Sequence, residues 1–416
     1  MSMDEKAGRA GGGASTRMSA GELRASLWLA SLYAIRMLGL FLVMPVFVLH
    51  AAGMPGGDDA FWVGLAFGLY GLTQAAMQIP FGAASDRFGR KPVITVGLLI
   101  MLAGSIVAAL AETVPMLALG RALQGAGAVS AAISALVADS TRDVNRSKAM
   151  ALIGVMIALS YALSLVIGPV LYEAGGLSGI FVLTAVLALV AIGVLWKLVP
   201  EPPPSVNAQR AAPRPPMRDV LDADLWRLNL GIFVLHLTQM ALFVVLPARL
   251  LAAGLPIGQH WQLYLPVVVV AFLLMLVPMR MAERGGRMRA VFLGGVMTVA
   301  VAQAGFLLSP LLPEGAWLLA TLLLVFFVGF NLLEALLPSL VSRLVPPNGR
   351  GLALGVYSTC QSLGVFAGGA LGGLLARHLG DAGVFVASTV LLLLWWAVAR
   401  QARRWPVGVP AQVHGQ

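Results

Sequence analysis

"IPFGAASDRFGRKPVITV" runs from Ile79 to Val96 and places Asp86, Arg87, Arg90 and Lys91 in one short turn between two long apolar runs. Charged residues make up only 11% of the 416-residue chain, so a turn this densely charged is the exception to be explained. Outward from it the chain is 59% hydrophobic, with a mean hydropathy of +0.88, well beyond the range of soluble domains. Apolar runs of about 18 residues or more, each able to cross a hydrocarbon core of roughly 30 Å as a helix, recur along nearly its whole length. Twelve are predicted, over residues 27–49, 61–84, 93–111, 114–138, 149–172, 177–199, 226–251, 262–282, 291–310, 316–342, 352–376 and 382–399. The expected class is an all-α integral membrane protein with twelve transmembrane helices.

The net charge of +10 raises the question of nucleic acid. Of the 28 Lys and Arg residues, all but Arg36, Arg121, Arg249 and Arg377 fall in loops on one side of this span map. Basic residues accumulate on the cytoplasmic side, so topology accounts for the basicity and no nucleic-acid partner is expected. Both termini are then cytoplasmic in a multi-pass protein of a bacterial inner membrane. The Gly/Ser-rich residues 1–26 read as a disordered cytoplasmic leader, since no cleavage pattern precedes the first span. Cys360 is the single cysteine and excludes an intramolecular disulfide.

The spans fall into two sets of six. Residues 27–199 and 226–399 are separated by a Pro-rich cytoplasmic linker, 200–225, and followed by a tail, 400–416. "FLVMP" at 41–45 returns as "FVVLP" at 243–247, and Asp86, Arg87, Gly89 and Arg90 are echoed by Glu283, Arg284, Gly286 and Arg287. A repeat of this length implies two duplicated six-helix bundles with a substrate site between them near mid-membrane. In the opening turn, Asp86 sits at a helix end where the dipole opposes negative charge, so it needs a partner, either the basic residues of its own turn or the positive N-terminus of another cytoplasm-starting helix. Gly82 permits close approach of a neighbouring helix, Gly89 suits a tight turn, and Arg87 and Arg90 are placed to reach Asp139.

Gly82, Asp86, Arg87, Gly89, Arg90 and Lys91 together resemble the loop signature between the second and third helices of the major facilitator superfamily. The resemblance covers all twelve spans. It implies that the loop is a conformational latch, with Asp86 meeting the start of the eleventh span near Gly351 when the carrier faces outward. "LGRALQGAGAV", with Arg121, Gln124, Gly125 and Gly127, resembles the fourth-helix motif of proton-driven carriers. Gly168 and Pro169 resemble part of the fifth-helix motif of antiporters, though Ser164 stands where that motif has glycine. Gly364 and Gly368 echo it in the eleventh span. Close helix packing through small residues is an equal reading of these glycines. With "RMLGLFLVMPV" and "FNLLEALLPSL", the chain resembles the YajR group of drug:proton antiporters, and the extra C-terminal cytosolic domain of some members is expected to be absent.

Four ionisable residues fall deep inside spans: Arg36, Arg121, His236 and Glu334. Such charges are costly unless paired or hydrated and mark functional sites. At about 1.5 Å per residue, Arg36, His236 and Glu334 share a level. The resemblance implies that the first, fourth, seventh and tenth helices line a central cavity, where these groups can converge on proton coupling. A structural ion pair is the plain alternative for Glu334, and a packed neutral ring for His236. Met37, Phe41, Gln124, Met240, Asn331 and Gln361 are the candidate cavity residues, suited to lipophilic cargo.

The reading is a monomeric, proton-coupled exporter of lipophilic or amphiphilic small molecules. It is not an enzyme, has no nucleotide-binding loop, and takes no cofactor or metal, a proton gradient being its energy source. A proton-coupled importer of a nutrient, and a non-transporting membrane sensor, remain as alternatives.

Overall fold

The computed structural model describes residues 18–127, 129–201, 222–284, 286–312, 315–345, 349–402 and 404–405. Most of the expected leader, linker and tail therefore lies outside the described residues. The described chain is helical, with no strand: α1 (Ala20–Phe41), α2 (Phe47–Ala52), α3 (Ala60–Phe88), α4 (Arg90–Ala109), α5 (Val114–Ala126), α6 (Ser130–Asp139), α7 (Asp143–Lys197), α8 (Ala223–Ala252), α9 (His260–Arg284), α10 (Met288–Leu308), α11 (Ala316–Leu344) and α12 (Arg350–Ala399). Nine helical segments among the described residues are long and apolar enough to cross a membrane.

α7 has 55 residues and α12 has 50, so as straight rods they would be roughly 80 and 75 Å long, more than twice the hydrocarbon thickness. Neither is straight. Gly176 (φ 63°, ψ −168°) and Gly380 (φ 64°, ψ −167°) adopt backbone geometry open essentially to glycine alone, and the chain reverses there. Ala149 and Ile153 of one α7 arm share a core with Ala191 and Leu195 of the other. Likewise Gly364 and Trp395, on opposite arms of α12, both rest on α8, at Phe233 and Gly231. The first and fourth predicted spans are interrupted instead, at residues 42–46 and at Gly127 and Val129. With each arm, and each interrupted span, taken as one pass, the described helices run in the order of the predicted spans.

Large apolar side chains such as Leu273, Val277 and Val182 are exposed along the outside. In water they would form an adhesive patch; here they form the lipid-facing belt. Within the first half α1 packs on α7, and α5 on α3 and α4; within the second α8 packs on α12, and α11 on α9 and α10. The halves meet where α3 lies against α12 and α7 against α9.

The α3–α12 seam is made of backbone. A Cβ on Gly64 would collide with the Gly369 carbonyl oxygen, and one on Gly71 with that of Ser362. One on Gly369 would lie 2.6 Å from the Gly64 oxygen and 2.7 Å from the Gly68 nitrogen. Beyond the seam, Arg377 of α12 donates to Asp59 before α3 at 2.5 Å. Toward the opposite end of α12, no described atom outside the helix's own backbone lies within 4 Å of where a Cβ on Gly351 or Gly355 would stand. The halves are thus closed against each other at the Asp59 end.

The leader reading needs correction at its inner edge, because α1 already begins at Ala20. Ser19 and Glu22 form a reciprocal capping box. The Glu22 carboxylate also accepts from the Arg142 backbone N (2.8 Å), Arg142 Nε (3.0 Å), Arg142 Nη2 (2.9 Å) and Asn145 Nδ2 (3.1 Å). Hydrogen bonds from Arg142 hold its carboxyl well below the usual carboxylate range. This knot ties the start of α1 to the start of α7. The tail likewise begins docked, with Arg404 Nη2 at 2.6 Å from Asp222 and the Trp405 ring 5.4 Å from that of Phe292.

Candidate functional site

Gly89 alone separates α3 from α4, at φ 93°, a conformation in which a side chain would be strained. The turn aims Arg90 inward. Its Nη1 lies 2.7 Å from Asp86 and 2.6 Å from Ser85 Oγ, and its Nε donates to Asp139 at 3.0 Å. Arg90 therefore links α3, α4 and α6, one of the two arginines expected to reach Asp139. Arg87 has no part in this link, since its guanidinium lies 5.2 Å over the Phe88 ring, on the outer face. Lys91, assigned to the latch by its position, donates instead to the Val199 carbonyl at 2.8 Å and pairs with Glu201 at 2.7 Å. It clamps the end of α7. Gly82 is in ordinary contact with Ala131, 3.6 Å from a built Cβ, so this position does not force the helices close. The expected contact of Asp86 with the start of α12 belongs to a form closed at this end, whereas these halves close at the other.

The buried ions separate into three places. Arg36, 1% exposed, donates to Ser130 Oγ at 2.5 Å. Arg121, fully buried, donates to the Gln124 carbonyl at 2.8 Å, and Gln124 donates in turn to Ser105 at 2.8 Å. The Arg121 guanidinium lies 4.8 Å over the Tyr70 ring, a cation–π contact that partly offsets burial. His236 and Glu334 come together, 3.8 Å apart, through Gln361. The Gln361 amide donates to Glu334 Oε1 at 3.1 Å and faces His236 Nε2 at 2.9 Å. His236 Nδ1 faces the Ile232 carbonyl at 3.3 Å. A neutral ring protonated at Nδ1 satisfies every one of these contacts. Glu334 Oε2 has no hydrogen-bond partner. The shared depth of Arg36, His236 and Glu334 thus joins only the last two.

Beside this trio an aromatic wall crosses between the halves. Phe41 of α1 meets Tyr161 of α7 edge-on at 4.9 Å, and Tyr161 lies 5.8 Å from Phe327 and 6.2 Å from Phe330 of α11. Phe330 in turn lies 5.6 Å from His236. Of the candidate cavity residues, Phe41 and Gln361 stand at this place and Asn331 is buried on the same helix as Glu334. Met37 is half-buried against the first half's core. Gln124 is committed to Arg121, and Met240 is packed under Gly368. The packing glycines lie against backbone: Gly125 on Tyr70, Gly127 on Gly97, Gly168 on Leu42, Gly364 on Phe233 and Gly368 on Leu237. Pro169 lies within α7, next to that contact.

Two helical halves closed on each other at one end, with a paired acid and histidine between lipid-facing helices, define a membrane secondary transporter. The chain belongs to the Major Facilitator Superfamily, whose profile matches residues 29–369 and 228–411, and it is a multi-pass transporter rather than an enzyme. It is 40% identical over 405 residues to the inner membrane transport protein YajR of Escherichia coli (strain K12), covering 95% of this chain and 88% of that one. It is 28% identical over 349 residues to the multidrug resistance protein MdtH of Aeromonas hydrophila, covering 81% and 84%. Among solved structures, a D-xylose-proton symporter superposes with a TM-score of 0.69 at 16% identity, covering 91% of this chain and 96% of that one, and supports the fold alone.

Proposed function

We propose that the protein exports lipophilic or amphiphilic small molecules in exchange for protons, the Glu334–His236–Gln361 trio carrying the proton. The observation that carries this reading is the Glu334 carboxylate: it lies deep in α11, one-third exposed, with Oε2 unpartnered and a histidine within 4 Å. A proton on Oε2, the buried and unpartnered oxygen, removes a charge that no donor balances there. A proton on His236 Nε2 requires Gln361 to turn its carbonyl toward the ring and release Glu334, so the two protonations compete through one amide. The aromatic wall supplies an apolar face for cargo at the same place, and the similarity to MdtH, a multidrug resistance protein, favours export of such compounds. Arg90, Asp86 and Asp139 form the latch, and the two six-helix bundles rock about the seam. Basic loops in the cytoplasm would make the Asp59 end, where the halves close, the outer one.

The test is transport in proteoliposomes under a pH gradient. Glu334→Gln mimics the protonated acid, so uphill export stops while downhill exchange of cargo continues. Glu334→Asp retains activity with a displaced pH profile. A folded Gln variant that still concentrates cargo against its gradient refutes the role.

A further inference from the structure

α6 begins in the interior of the first half. α5 stops at Ala126, the chain leaves helical geometry, and the ten-residue α6 starts at Ser130. Its N-cap, Val129, offers no side-chain acceptor, and the first-turn N–H groups of Ser130 and Ala131 have no backbone hydrogen bond among the described residues. The helix dipole adds partial positive charge at the same point. Onto this end comes Arg36 of α1. Its Nη1 donates to the Ser130 hydroxyl oxygen, its Nη2 has no partner, and it makes no ion pair among the described residues. A full cation is held against a positive helix end, out of water, where like charges repel most strongly. The Ser130 hydroxyl satisfies only Nη1, so Nη2 and the helix end still call for a negatively charged acceptor.

We propose that the N-terminus of α6 and Arg36 together form a binding site for an oxoanion. One oxygen accepts from Arg36 Nη2 and another from the first-turn amides, the geometry in which helix ends bind carboxylates and phosphates. Two sources supply this chemistry: the carboxylate of an amphiphilic cargo, or a free inorganic anion. The site lies in the half opposite the proton trio, which sits on α8, α11 and α12, and its occupancy is read without any gradient. Failure of proton coupling therefore leaves this inference standing, and the reverse also holds.

The experiment follows thermal unfolding of the full chain in neutral detergent, at fixed ionic strength, with 2-naphthoate, its uncharged analogue 2-naphthamide, acetate and phosphate. Naphthoate raises the midpoint and naphthamide does not. Arg36→Gln weakens naphthoate binding by about tenfold or more, equivalent to about 1.4 kcal/mol. Arg36→Lys falls between, since an ammonium keeps the charge but loses the planar fork. If Arg36→Gln fails to fold, Arg36→Lys and Ser130→Ala carry the test, the latter releasing the hydroxyl that positions Nη1 and weakening binding several-fold. An Arg36-dependent effect of acetate or phosphate alone identifies a free anion as the occupant, while an effect of naphthoate alone identifies a cargo carboxylate. Equal binding of naphthoate by wild type and the folded Arg36 variants, naphthamide matching naphthoate, or no stabilisation by any anion overturns the site.

Discussion

Replacing Gly369 by alanine drives a methyl group into the α3–α12 seam. That methyl would lie 2.6 Å from the Gly64 oxygen, 2.7 Å from the Gly68 nitrogen and 2.8 Å from the Gly68 Cα, where ordinary contact is 3.4–4 Å. All three are main-chain atoms of a helix and cannot rotate away, so α3 and α12 must separate by nearly 1 Å. Overpacking of this kind costs roughly 1–3 kcal/mol. Because the cost falls only on the form closed at the Asp59 end, it moves the conformational equilibrium toward the form open there by about 5- to 150-fold. Spin labels at Met54 and Leu379, on opposite halves at that end, report the change by pulsed electron resonance in a Cys360→Ser background. The Gly369→Ala protein shows a new or enlarged long-distance population. Gly355→Ala, which meets no described atom of another helix within 4 Å, leaves the distances unchanged. A folded Gly369→Ala protein with the parental distribution would refute the claim that the seam is what closes this end.

Glu22→Gln leaves one acceptor oxygen for donors that five hydrogen bonds now satisfy, and costs about 2–4 kcal/mol of stability. The sign with pH follows from the lowered carboxyl: its contribution is complete above the ordinary glutamate range and is lost as pH falls through the folded-state value. The melting gap between wild type and variant is therefore constant from neutral pH down to about pH 5 and narrows only in stronger acid; a gap that varies near neutrality contradicts it. Asp59→Asn keeps the cap on the Phe61 N–H but removes the charge facing Arg377, a half-exposed pair worth about 0.2–1 kcal/mol. The Met54–Leu379 distances then shift by less than about fivefold in population, and raising salt moves wild type toward the variant; an effect indifferent to salt argues against the ion pair.

The helices were legible because lipid demands long apolar runs, and such runs leave little ambiguity in sequence. Their interruptions at 42–46 and at Gly127 and Val129 were not, since hydropathy averages over a window longer than the break. The start of α1 falls earlier than hydropathy places it although its signal is present in the sequence, with Ser19 followed three residues later by Glu22 as a capping box. For the site, depth along a helix gives a level but no direction around the axis. His236 and Glu334 share both and meet; Arg36 shares only the level and turns to Ser130. Lys91 reaches a carbonyl 108 positions away, a contact that no local pattern encodes. That the turn's arginines would reach Asp139 was legible, but which of Arg87 and Arg90 does so was not, since the two are offered alike by the sequence and only the geometry at Gly89 turns Arg90 inward.

α12 carries two glycine rows at once. Gly364, Gly368 and Gly372 lie on α8, while Gly369 and Gly373 lie on α3. Every missense change of a glycine codon adds side-chain atoms, and along this stretch each addition lands on the main chain of one neighbour or the other. A compensating change cannot come from a single partner, since a helix that yields on the α8 side is pressed into α3. This segment consequently has almost no neutral neighbours in sequence space. A saturation scan of the gene should find its steepest intolerance there, at residues that bind neither proton nor cargo.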